Sequence, residues 1–423
     1  MTEERVFGLK PEAGRWIFVL VGLLMNVCLG AVYAFSVFRK PLEAAVAEGG
    51  WGITVTQSGL PFMVFLAMFA LFMALAGGLV TSWGPRKTGL LGATLVGAGW
   101  ILAGFAPDIL WLTVFYGVIG GAGVGILYGC PIAVAAKWFP DKKGLAVGLT
   151  LAGFGLSALL MAPLMTKTIA MEAVGIAKTF TYFGIAFLVA LLGLSFGLRN
   201  PSPDWKPAGW KGPRAKGAVA TELDRGQMLR TPAFYALWGS YIIGCLAGLM
   251  AIGIAASVGR DVAGLDAGLA AVAVSVFAVF NGVGRPLYGW LTDKITPKGT
   301  ALLSFTLILG ASALLYFAGK GSAGVYFVAF SLLWLNLGGW LAIAPTATAT
   351  FFGTKNYAKN YGIVFTAYGI GAIVGSLLSG MIHDATNSYL PVFLPVMGLA
   401  AVGFVVALFG LKPPAAVAQK AKN

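Results

Sequence analysis

The chain has 423 residues, 58% of them hydrophobic and only 10% charged, whereas an ordinary soluble domain is about 25% charged, which excludes a soluble globular protein. The formal net charge of +14 raises nucleic acid as a partner, and only the placement of those charges decides the matter. Three cysteines (Cys28, Cys130, Cys245), all inside apolar runs, and a single histidine leave no disulfide framework and no conventional metal or cofactor set.

In chain order, residues 1–15 are charged and lack a signal-peptide pattern, so they read as an N-terminal tail. Twelve apolar runs follow: 16–38, 56–80, 88–106, 109–136, 145–166, 177–198, 234–258, 269–291, 300–318, 324–352, 358–383 and 389–411. Each approaches or exceeds the ~20 residues that carry a helix across a bilayer, and in lipid the backbone must satisfy its own hydrogen bonds. The expectation is an all-α integral membrane protein of twelve transmembrane helices in two six-helix halves, 16–198 and 234–411. Between them lies a linker, 199–233, rich in Pro, Gly and Lys, and residues 412–423 form a C-terminal tail.

The basic residues test this topology. With the N-terminus cytoplasmic, 22 of the 29 Lys and Arg fall on the cytoplasmic side, 6 fall outside, counting Lys178 at the edge of its run, and Arg285 is the remaining one. This is a positive-inside distribution, so both termini are expected in the cytoplasm of a plasma (inner) membrane, and the positive charge is explained without nucleic acid. The halves also repeat weakly. KWFPDKKGLAVGLTLAGFG (137–155) resembles FFGTKNYAKNYGIVFTAYGIG (351–371), and GGLVTSWGPRK (77–87) resembles GWLTDKITPK (289–298), as in many secondary transporters. The glycine patterns at 121–125 and 369–371 sit inside apolar runs with no nucleotide signature around them, so they predict close helix packing.

Arg285 is the anomaly. The chain is uncharged back to Asp266 and forward to Asp293. An arginine at a bilayer helix centre costs about 2.5–3.5 kcal/mol, so something must offset it. It is either a structural arginine bonded to carbonyls, one that snorkels to the interface, or an anion site whose paired donors match a carboxylate. No Asp or Glu lies inside any of the twelve runs, so an incoming anion is the natural counter-ion. Asn281 lies one helical turn earlier on the same face. The remaining polar or aromatic candidates within runs are Asn26, Tyr33, Tyr128, Asn336, Trp340 and Tyr368, and His383 with Asp384 closes the eleventh run.

GWLTDK (289–294) resembles the loop motif of the major facilitator superfamily: Gly289, Asp293 and Lys294 match it, and the resemblance implies a cytoplasmic gate there. NGVGRPLYG (281–289), KWFPDKKGLAVG (137–148) and NYGIVFTAYGIGA (360–372) are similar to the branch of oxalate/formate antiporters and monocarboxylate transporters, notably its bacterial L-lactate carriers. The resemblance implies a cavity lined by the first, fourth, seventh and tenth helices. It also implies a substrate site at Arg285 with Asn281, Tyr368, Tyr128, Tyr33, Asn336 and Trp340. Two departures matter. Animal monocarboxylate transporters carry an Asp where this chain has Asn281, and oxalate/formate antiporters carry a lysine where it has Tyr368. One fixed cation suits a one-charge substrate, because a second buried negative charge is costly without a partner.

The expected function is therefore proton symport of small monocarboxylates such as L-lactate or pyruvate by alternating access, in a monomer without cofactor. Arg285, Asp261 and His383 are the candidates for proton coupling. Anion exchange is the alternative within the same class, and a non-transporting receptor or scaffold the alternative outside it. An enzyme is not expected.

Overall fold

The computed structural model describes residues 6–202, 205–207, 222–353 and 356–414. Residues 208–221 of the predicted linker and 415–423 of the predicted tail lie outside the described residues. Among the described residues, ten helices are long and apolar enough to cross a membrane. They are α1 (Pro11–Glu43), α2 (Val55–Ala103), α3 (Ile109–Trp138), α4 (Leu145–Ile169), α5 (Gly175–Phe196), α6 (Pro232–Asp261), α7 (Ala267–Ala318), α8 (Ala323–Phe352), α9 (Lys359–Thr386) and α10 (Leu390–Gly410).

These ten helices hold all twelve predicted spans. α2 has 49 residues and α7 has 52, and each far exceeds one crossing of a core about 30 Å thick at about 1.5 Å per residue. Each is broken near its middle. Gly84 (φ 79°, ψ 166°) interrupts α2 and Thr296 (φ 68°, ψ 160°), after Ile295, interrupts α7. A proline follows in both places, Pro85 and Pro297. Proline drives the preceding residue out of the α region and then starts the next helix, so one dipeptide ends one crossing and begins another. Each half thus repeats one plan: a helix, a broken pair, then three helices. With twelve crossings, both chain termini lie at one end of the bundle, here the near end. The opposite end, where α1 stops and α2 starts, is the far end.

Glycine sets the packing inside each half. A methyl group on Gly123 would lie 2.6 Å from the Val96 nitrogen, and one on Gly125 would lie 2.6 Å from the Phe69 carbonyl, so α3 lies backbone-to-backbone against both arms of α2. Gly371 meets the Ile242 carbonyl at 2.9 Å in the same sense. Helices start on side-chain caps. Thr54 forms a capping box with Gln57, and Asp108, Thr231, Asp266 and Ser322 each accept from the first turn they precede.

The halves meet along two seams, α2 with α9 and α4 with α7. A methyl group on Gly380 would lie 2.6 Å from Thr56 Cα, one on Gly369 2.9 Å from Ala70 Cβ, and one on Gly362 3.4 Å from Ala74 Cα. The α2–α9 seam is therefore tightest at the far end and loosens toward the near end.

Three placements differ from the sequence expectation. α1 starts at Pro11 and reaches Glu43, so Arg15 and Arg39, assigned to a tail and a loop, are buried helix residues at 6% and 3% exposure. Hydropathy alone cannot extend a span through charge, whereas burial beside acceptors can. Glu43, outside the predicted run, also lies within this helix end, its side chain only 9% exposed. Gly289, Asp293 and Lys294 lie in helical turns of α7 rather than in a loop, because the break falls later, at Ile295 and Thr296.

Candidate functional site

Arg285 sits on α7 at 7% exposure. Its Nη1 donates to the Leu151 carbonyl of α4, in the other half, at 2.9 Å. Its Nε and Nη2 are buried and make no hydrogen bond of good geometry among the described residues, with the Tyr128 hydroxyl the side-chain group nearest to offering one. Those two nitrogens form one planar edge of the guanidinium, with parallel donors at the spacing of a carboxylate's two oxygens. A buried charge with two idle donors is a costly arrangement, and a bound anion removes the cost. The Phe154 ring of α4 lies 5.9 Å from the guanidinium carbon and shields one side.

Asn281, one turn earlier, donates from Nδ2 to the Trp334 carbonyl at 3.2 Å, while its Oδ1 is buried without a donor. A methyl group on Gly155 of α4 would sit 2.9 Å from that oxygen. Asn281 and Arg285 therefore both face α4, opposite Gly155 and Leu151. The spacing of four residues on each helix places both polar groups on the seam between the halves.

Aromatic rings close the surroundings. Phe154 lies 5.0 Å from Tyr33, 5.4 Å from Tyr128 and 5.7 Å from Phe69, centroid to centroid. The Tyr33 and Tyr368 hydroxyls are 2.8 Å apart and join the two halves. Tyr33 and Tyr128 both lie within electrostatic range of Arg285. Trp334 approaches Tyr33 edge-on at 6.4 Å, and its Nε1 is another buried donor without an acceptor. The unsatisfied groups facing this region are thus mostly donors, the chemistry of an anion site.

Of the predicted site residues, the structure brings Arg285, Asn281, Tyr33, Tyr128 and Tyr368 together. Asn336 and Trp340 stand apart. Both polar atoms of the Asn336 amide have a partner, the oxygen accepting from Tyr288 at 2.7 Å and the nitrogen donating to the Leu332 carbonyl at 2.7 Å. Trp340 packs on Tyr241 and Phe305 within the C-terminal half. Asp261 pairs with Lys40 at 2.6 Å at the far end, and His383 packs on Tyr389 at 4.3 Å. Neither joins the Arg285 group. Asp293 and Lys294 are exposed at the near end, one helical turn past Gly289.

Sequence reasoning missed Phe154, Trp334 and the Leu151 carbonyl. Phe154 and Trp334 each lie in a predicted span and carried a helical-face signal. A backbone acceptor carries none.

A second arginine pair stiffens the near end. Arg15 holds Asp141 through two hydrogen bonds of 2.6 and 2.9 Å and also donates to the Trp138 carbonyl. The guanidinium hydrogen bonds keep the Asp141 carboxyl below its ordinary value.

Comparison with known proteins agrees with this architecture. A family profile described as Major Facilitator Superfamily matches residues 19–350 and 250–423. The chain is 32% identical to the oxalate:formate antiporter of Oxalobacter formigenes over 401 residues, covering 93% of this chain and 91% of that protein. It is 28% identical to monocarboxylate transporter 13 of Bos taurus over 418 residues, covering 94% and 90%. A bacterial homologue of the human lysosomal transporter Spinster shares the fold, with a TM-score of 0.70 at 17% identity over 96% of this chain and 99% of that one. The chain belongs to the major facilitator superfamily: it is a multi-pass membrane transporter, not an enzyme.

Proposed function

We propose that the chain is a secondary transporter of small monocarboxylates, with L-lactate and pyruvate as the reference substrates, working by proton symport and alternating access with both termini cytoplasmic. The carrying observation is the idle Nε–Nη2 edge of Arg285, buried among aromatic rings with no carboxylate paired to it among the described residues. The substrate carboxylate takes that edge. The Tyr33–Tyr368 hydroxyl pair and the Asn281 oxygen lie around it to meet a 2-hydroxyl or 2-oxo group. Because Tyr33 and Tyr368 belong to different halves, as do Arg285 and Leu151, a substrate bound among them interacts with both and biases their rocking. The names of the monocarboxylate and oxalate:formate relatives point to the same class of cargo.

A second reading is anion exchange. Asn281 stands in the place of a titratable partner, so an empty carrier keeps an unneutralised Arg285 in its centre, and an anion is needed on each half-cycle. The oxalate:formate antiporter relative supports this reading.

The test is uptake of labelled L-lactate by purified protein in liposomes. Uptake driven by an inward proton gradient supports symport. Uptake only into liposomes preloaded with a carboxylate supports exchange. No uptake of any small carboxylate under either condition overturns the monocarboxylate proposal.

A further inference from the structure

Three contacts join the halves at the far end, away from Arg285. Lys40 of α1 pairs with Asp261 of α6 at 2.6 Å. Arg39 of α1 donates to the Gly253 carbonyl of α6 at 3.2 Å. Asp384 of α9 accepts from the Val55 and Thr56 N–H groups at 3.0 and 3.1 Å, placing a carboxylate on the positive end of the α2 dipole. We propose that these contacts form an ionic latch that sets how readily the far end opens.

The latch is built to separate. Arg39 keeps Ser58 and the Val55 carbonyl within its own half, and Glu43 lies 3.7 Å from Arg39 and 3.6 Å from Lys40. Ser58 also donates to Glu43. When Asp261 and the Gly253 carbonyl withdraw, both cations therefore retain partners, Asp261 is left at the end of α6 and partly exposed, and Gly253 lies within the helix, where its carbonyl has the backbone ladder. Glu43 is the holding partner: it keeps Lys40 and Arg39 aimed across the seam without crossing it. Asp384 completes the first turn of α2 from the opposite half, so opening removes a cap as well as an ion pair. A cleft of about 240 Å³ between the halves beside Lys40, lined also by Ala256 and Ala270, marks where water enters first.

The latch predicts a change in far-end accessibility that requires no substrate, so its failure and that of the monocarboxylate reading are distinguishable. A reporter is Ala256→Cys, 6% exposed on the wall of this cleft, in a background with Cys28, Cys130 and Cys245 replaced by alanine. Its rate of modification by a maleimide is measured in the full chain. Asp261→Asn and Lys40→Gln are each expected to raise the rate about two- to fivefold, the range of a partly exposed ion pair. The double variant Lys40→Gln with Asp261→Asn is expected to raise the rate no further than either single variant, because both remove the same contact, an outcome that general loosening does not give. Unchanged rates in both single variants, or effects of the two substitutions that multiply in the double variant, overturn the latch.

Discussion

Two buried arginines in this protein are solved in opposite ways. At the far end, all three nitrogens of Arg39 have acceptors, in Ser58, Val55 and Gly253, with the Glu43 carboxylate close by. At the centre, Arg285 has one acceptor and two idle nitrogens. Both are less than a tenth exposed, so burial does not distinguish them. What distinguishes them is whether the fold itself supplies the counter-groups. A fold that fully satisfies a guanidinium has used it for structure, and one that leaves its bidentate edge vacant has left room for an anion.

The strongest way to break this contrast is Arg285→Gln. Removing one partner of a buried charge pair costs about 2–5 kcal/mol, so lactate affinity should fall about 30-fold or more by titration. The melting temperature should not fall, because the variant discards idle donors. Arg39→Gln should do the reverse. It leaves Glu43 and three acceptors under-satisfied, costing stability on the order of 3 kcal/mol in unfolding measurements, while lactate affinity stays within about threefold. If both variants lose binding equally, the contrast is wrong.

Tyr368→Lys sharpens the charge count. It adds a second cation facing Tyr33, and competition assays should shift preference from mono- to dicarboxylates by about tenfold, the scale of one charge-assisted hydrogen bond. Unchanged selectivity would separate Tyr368 from the substrate.

The smallest effect concerns a third arginine, Arg15, whose counter-group is Asp141. The folded-state carboxyl lies below its unfolded value, so its stabilisation is present above the unfolded pKa and is lost as pH falls through the folded one. Asp141→Asn should therefore lower the melting temperature by a few degrees near neutral pH. The difference from the parent should disappear once acid has protonated Asp141. A difference that persists in acid would point to packing instead.

Much of this was legible in the sequence. The twelve runs, the half-repeat and the lone Arg285 all follow from hydropathy and charge, because lipid forbids most alternatives. The pairing of two spans into one broken helix was less visible, since Gly84–Pro85 and Thr296–Pro297 simply fall between predicted runs. Asn336 and Trp340 were chosen because polar and aromatic residues in spans are conspicuous; Tyr288 engages the Asn336 oxygen, while Trp340 stacks on Tyr241 with its Nε1 left without an acceptor among the described residues. Sequence cannot tell a satisfied amide from an idle one when its partner lies 48 residues away. Arg39 and Glu43 were missed for a related reason: a window that scores charge as an end of a span cannot see charges that neutralise one another across it.

The central claim is that the vacant edge of Arg285 binds a carboxylate. The direct measurement is calorimetric titration of the purified protein with L-lactate and with lactamide, its neutral isostere. The account predicts saturable binding of lactate, none of lactamide, and loss of the lactate signal in Arg285→Gln. Equal binding of the two ligands, or lactate binding that survives the substitution, would contradict it.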